Sequence, residues 1–177
     1  MRTRFIAIVA LGVLLLGVGF AQAAESLWFT PLNAVIVPPA TGQNTFIQLS
    51  PGSNGASLVI SVDLNEAFTN SPQWVNIPLS SLPAGMKIAK FVIYYQVSAE
   101  TTNTYIAEEK LAKLTYPKTL TSVYDITSTL NKQTPSVATF TPKIPILVSG
   151  TMNLMLRVKM DSLIDSISIG AIEVFLQ

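Results

Sequence analysis

Residues 86–97 read MKIAKFVIYYQV, and this stretch decides the fold class. Phe91, Ile93, Tyr95 and Val97 share one parity, while Val92, Tyr94 and Gln96 share the other. Successive side chains of a strand point to opposite faces, so a period of two puts these sets on the two sides of one sheet. Large side chains on both parities predict a central strand, covered to some degree on each face.

Working outward, 74–79 forms a second strand signal, and 80–85, with Leu82-Pro83-Ala84-Gly85, reads as the turn joining it to the first. Upstream, 34–37 is a short apolar run stopped by Pro38-Pro39, and 45–49 alternates before Pro51. The cluster Pro51-Gly52-Ser53-Asn54-Gly55 is the clearest turn in the chain and leads into a strand over 57–63. Downstream, 152–160 alternates Leu154, Leu156, Val158 and Met160 against Met155, Arg157 and Lys159. The last strand, 166–176, changes parity around Gly170, which predicts a β-bulge there. Residues 131–145 carry Pro135, Pro142 and Pro145 and read as a long loop with an edge-strand fragment. Residues 105–114, YIAEEKLAKL, are built from good helix formers between strand signals and are expected to be a strand or a short helix over an open end.

The start of the chain carries the pattern of a bacterial export signal. Arg2 and Arg4 precede an uncharged apolar run over 5–19, and Ala21-Gln22-Ala23 fits a cleavage site. The expectation is a cleaved signal peptide over 1–23 and one domain over 24–177, exported to the periplasm or beyond the cell, with no membrane attachment after cleavage. A mature chain of about 150 residues is long enough to bury a core without cross-links. That matters because the chain has no cysteine, hence no disulfide.

Composition removes several functions. The net charge of +1 turns slightly negative once Arg2 and Arg4 are gone, so nothing attracts nucleic acid. Histidine is absent, which removes the commonest general base and zinc ligand. No glycine-rich phosphate loop occurs, and no cofactor is expected. Carboxylates remain: Glu108-Glu109, expected on a solvated face beside Lys110 and Lys113, and Asp161 with Asp165. Asp161, Ser162 and Asp165 have oxygens suited to calcium, but the spacing is not an EF-hand loop and a polar turn explains them; no metal site is assigned. Aromatic rings are the other candidates. Trp74, Tyr95, Gln96 and Tyr105 are taken as ligand-binding residues, from a wider set with Tyr94, Tyr116, Tyr124 and Asn103, because flat rings stack on sugars while amides and hydroxyls orient them. Core filling is the competing role for the same rings.

The closing residues, GTMNLMLRVKM followed by ISIGAIEVF, resemble the final strand pair of secreted jelly-roll modules, a group that includes many carbohydrate-binding domains. The resemblance implies a sandwich and sugar binding, and carries no family-defining ligand motif. The expected fold is therefore an all-β, antiparallel, jelly-roll-like two-sheet sandwich of about eight to ten strands. The expected function is a non-catalytic binding or structural module whose partner is a glycan or another surface protein. A carboxylate-dependent glycan hydrolase and a small outer-membrane β-barrel are the alternatives.

Overall fold

The computed structural model describes residues 25–38, 45–115 and 119–177. The export signal expected over 1–23 and the ring of Tyr116 lie outside the described residues. Two antiparallel sheets make up the fold. The first holds β1 (Glu25–Phe29), β3 (Ile47–Pro51), β4 (Leu58–Val62), β6 (Lys87–Ser98), β9 (Ser136–Phe140), β10 (Ile146–Leu147) and β12 (Ser166–Leu176). The second runs in the order β2 (Val35–Val37), β5 (Gln73–Leu79), β11 (Met152–Lys159), β7 (Tyr105–Thr115) and β8 (Thr119–Leu130). Most consecutive strands change sheet, as in a jelly roll, so the described residues hold twelve strands where about eight to ten were expected. The surplus comes from short pieces such as β2 and β10 that proline neighbours keep brief.

A 3-10 turn at Pro31–Asn33 carries the chain from β1 in one sheet to β2 in the other. Pro31 has φ preset for the turn, and Leu32 N donates to Thr30 Oγ1 at 3.2 Å.

β6 and β12 form the middle of the seven-stranded sheet. β6 pairs with β12 along one edge and with β9 and β10 along the other. β12 in turn pairs with β4 through Ile169 and with β1 from Ile172 onward. Gly170 sits at that change of partner, and the β6–β12 register slips between Ile169 and Ala171. Ile167 and Ile169 before the bulge and Ile172, Val174 and Leu176 after it therefore all reach the interior.

The interior is apolar from both sheets: Phe91, Ile93 and Val97 meet Val75, Ile77, Leu111, Leu154 and Leu156. This excludes the outer-membrane barrel, whose lumen-facing residues are polar. Phe91 stacks on Phe140 at 4.9 Å and meets the edge of Tyr124 of the opposite sheet at 5.8 Å, each pair contributing roughly 0.5–1.5 kcal/mol beyond area burial.

Residues 105–115 form a strand, so of the two expectations for this segment the extended one holds. Ladders to β11 and β8 on its two edges overrule its helical propensity. Glu109 corrects the expectation of a solvated acidic pair: it is fully buried, whereas Glu108 faces outward. The cause is a bulge. Ile106 pairs with Val158 and Glu108 with Arg157, which leaves Ala107 as an extra residue and shifts the inward parity from even to odd numbers.

Candidate functional site

On β6 the inward parity buries Tyr95 and leaves Tyr94 and Gln96 on the outer face of the seven-stranded sheet. Neighbouring strands add to this face. Tyr94 lies opposite Val137 of β9 and Ala171 of β12, and Gln96 opposite Ser168. Trp28, placed outward on β1 by its buried neighbour Phe29, stacks on Tyr94 with ring centroids 5.3 Å apart and planes 29° apart. Trp28 is 59% exposed and Val137 is 56% exposed, so this is an aromatic and apolar strip open to solvent.

Beside the strip runs a groove of about 430 Å3, lined among others by Asn54, Ser57, Tyr94, Gln96, Val137 and Ser168. Apart from the apolar Val137, these side chains are uncharged hydrogen-bonding groups. The glycine-rich turn expected from the sequence forms its rim: Asn54 Oδ1 accepts from Ala56 N at 3.0 Å and from Ser57 N at 3.2 Å. Gln96 Nε2 donates to Gln133 O at 2.9 Å, which holds the amide in place. The Tyr94 hydroxyl donates to Glu173 Oε2 at 3.2 Å; partial desolvation, reinforced by Glu173, pushes its pKa up and keeps the hydroxyl protonated as a donor. Tyr95 reaches the groove only from beneath. Its ring is in the core, and burial raises its pKa against a hydrogen bond with the backbone of Lys132.

Trp74 and Tyr105 are on the outer face of the five-stranded sheet instead. Arg157 of β11 lies between Trp74 of β5 and Glu108 of β7 in register, and Lys159 lies opposite Tyr105. Here the rings carry cations. Lys110 Nζ is 4.7 Å and Arg157 Cζ 6.0 Å from the Trp74 ring centre, and Lys159 Nζ is 5.7 Å from that of Tyr105. Lys110 also bridges Glu108 at 2.6 Å and Asp125 at 3.0 Å, and Arg157 reaches Glu108 at 3.4 Å. Burial alone would raise the Glu108 pKa; the bond from Lys110 and the nearby Arg157 outweigh it and hold the carboxyl low. Glu108 in return raises Lys110.

The four residues singled out from the sequence thus divide between two sites: Gln96 and Tyr95 border the groove, Trp74 and Tyr105 the charged face. Trp28 was missed. Its signal was local, since Leu27 and Phe29 on one parity put Trp28 alone on the other.

Asp161 and Asp165 work as turn residues. Asp165 Oδ2 accepts from the Thr104 hydroxyl, from Ser162 N at 3.0 Å and from Asp161 N at 3.2 Å, fastening the β11–β12 turn to the start of β7. Asp161 Oδ2 accepts from Thr101 Oγ1 at 2.8 Å and from Asn103 at 3.3 Å, bonds that lower its pKa. Among the described residues no three acidic side chains gather where a metal ion could be held.

These features define a two-sheet β-sandwich with an aromatic groove on one outer face. Solved structures of the same architecture include CBM4, a carbohydrate-binding module, at 15% identity over 84% of this chain and 89% of that one, with a TM-score of 0.52. Also similar are CBM86, a low-affinity xylan-binding module from Roseburia intestinalis (9% identity, 86% and 96% covered, TM-score 0.47), and the K1 cleaved adhesin domain of Lys-gingipain from Porphyromonas gingivalis (16%, 85% and 97%, TM-score 0.46). No family model matches the chain, and no curated protein does. At these identities the likeness to CBM4 is one of fold.

Proposed function

We propose that this chain is an exported, non-catalytic module that binds neutral glycan on the outer face of its seven-stranded sheet. The observation that carries the reading is Trp28, exposed and stacked on Tyr94 beside a groove whose polar lining is uncharged. Apolar C–H faces of sugar rings pack on aromatic planes, and amides and hydroxyls satisfy the sugar hydroxyls at the edges. Gln96, Ser168 and the Tyr94 hydroxyl take that second task in this reading. The sandwich likeness to a carbohydrate-binding module supplies a frame for the reading; the groove supplies the argument, because a fold alone does not define a function.

Five of the ten carboxylates, those on the two sheets' inner strands and the β11–β12 turn, support a binding rather than a hydrolytic role. Glycoside hydrolysis needs two carboxyl groups facing a cleft, one of them free to donate a proton. Glu173 accepts from Tyr94, Glu108 is paired with Lys110, Glu109 is inside the core, and Asp161 and Asp165 hold turns.

Affinity electrophoresis against a panel of soluble neutral polysaccharides, followed by calorimetry on any that retard the protein, tests the proposal. Trp28→Ala and Tyr94→Ala should each weaken binding at least ~10-fold, and Gln96→Ala several-fold, with Trp74→Ala close to unchanged. Retardation by no polysaccharide, or binding that survives Trp28→Ala and depends on Trp74, would overturn it.

A further inference from the structure

Every sheet edge exposes a row of backbone donors and acceptors, and folded proteins guard them with short strands, proline or lysine. Three edges among the described residues are guarded in this way. β2 has three residues and is followed by Pro38, β3 ends on Pro51, and β9 has five residues between Pro135 and Pro142. The edge formed by β8 differs. It runs for twelve residues without proline, lysine or arginine, and no other described strand pairs with its outer side. Its side chains are β-branched or hydroxyl-bearing for the most part, with Val123 40% exposed.

The centre of β8 is also self-complementary. Residues 123–127 read VYDIT, so antiparallel pairing of two copies about Asp125 sets Tyr124 against Ile126 on either side of the axis. Tyr124 and Ile126 are both half-buried inward residues that pack on the core, so this pairing continues the apolar interior across the junction. The strand is bulged at Val123, since Tyr124 pairs with Leu111 and Ser122 with Ala112; with Val123 as the extra residue, Ser122 comes opposite Thr127, hydroxyl against hydroxyl. The two Asp125 carboxylates would face each other at the centre. Each is already paired with Lys110 at 3.0 Å, which offsets their repulsion.

We infer that β8 is the contact strand of a two-fold homodimer, in which the five-stranded sheets of two copies join edge to edge into one ten-stranded sheet. Such an interface is isologous, so one self-complementary strand suffices to build it and closure stops at two copies.

Sedimentation velocity over a micromolar to near-millimolar range should show a monomer–dimer equilibrium. Asp125→Asn, which removes the facing charges, should tighten it ~3-fold. The chain has no native cysteine, which permits a test of register. Asp125→Cys places two thiols opposite each other at the two-fold axis and should form a disulfide-linked dimer under mild oxidation. Thr127→Cys separates them by four residues along the paired strands and should not. A single monomeric species at all concentrations overturns the inference, as does a dimer in which Asp125→Cys cross-links no faster than Thr127→Cys.

Discussion

Glu109 is the residue most at odds with its surroundings. Its side chain is fully buried, Ser128 Oγ donates to Oε1 at 2.6 Å, and Oε2 is buried without a hydrogen-bond partner. Desolvation, with Glu108 adding to it against the Ser128 bond, raises its pKa from 4.5 to about 7. Because the folded value exceeds the unfolded one for an acid, folding favours the protonated form. Stability is then highest below pH 4.5 as far as this group is concerned, and falls as pH rises from there to about 7, by an amount on the order of 3 kcal/mol. Glu109→Gln keeps the shape and removes the titration. Urea unfolding should find it within about 0.5 kcal/mol of the parent at pH 4 and about 3 kcal/mol more stable at pH 8; equal pH slopes in the two proteins would contradict the assignment. Two glycines give a second contrast. Gly85 has φ +88, whereas Gly170 lies outside the left-handed region and a Cβ there would meet Tyr94 at an ordinary 3.7 Å. Gly85→Ala should lose about 1 kcal/mol in the same assay, and Gly170→Ala less than about 0.5 kcal/mol despite its place in the bulge.

At the scale of elements, the turn between β11 and β12 is tied to the start of β7 by two aspartates, of which Asp165 is the buried one. Asp165 is 1% exposed and its Oδ2 takes three donors from two segments, the β11–β12 turn and the start of β7. Asp165→Ala strands the Ser162 N–H and the Thr104 hydroxyl, Asp161 N keeping its 2.9 Å bond to Thr104 Oγ1, and should cost about 3 kcal/mol, while Asp165→Asn keeps an acceptor in place and should cost about 1 kcal/mol. Chemical denaturation separates the two; similar losses would mean that the turn does not depend on this oxygen. Elsewhere on the surface the five-stranded sheet carries its own ion network. Glu108, Lys110 and Asp125 link β7 to β8, and Arg157 links β11 to β7, so β8 is held from the sheet side as well as by its ladder.

For the whole molecule, residues of both sheets belong to one apolar cluster, with Phe91 and Tyr124 in contact across the interior. Burial of that cluster without any disulfide is what holds the layers together. The two tryptophans sit one on each sheet, Trp28 on β1 and Trp74 on β5. Trp28→Phe and Trp74→Phe therefore make reporters for opposite layers. Their fluorescence midpoints in urea should coincide with each other and with far-UV circular dichroism, as expected when one core serves both layers; separate midpoints would show that the sheets unfold independently. Much of this architecture was readable in advance. Period-two alternation in 91–97, 154–160 and 166–176, the turn at 51–55 and the parity change at Gly170 depend on nearest neighbours in sequence, and a strand's two-faced geometry carries them directly into the fold. Alternation states that a strand has two faces. It does not state which strands lie beside it or where an extra residue slips the register. Only the tertiary structure could bring Trp28 from the first strand onto Tyr94 of the sixth, divide Gln96 from Trp74 between opposite faces, and, through the bulge at Ala107, turn Glu109 inward and Glu108 out, because those outcomes are set by ladder partners far away along the chain.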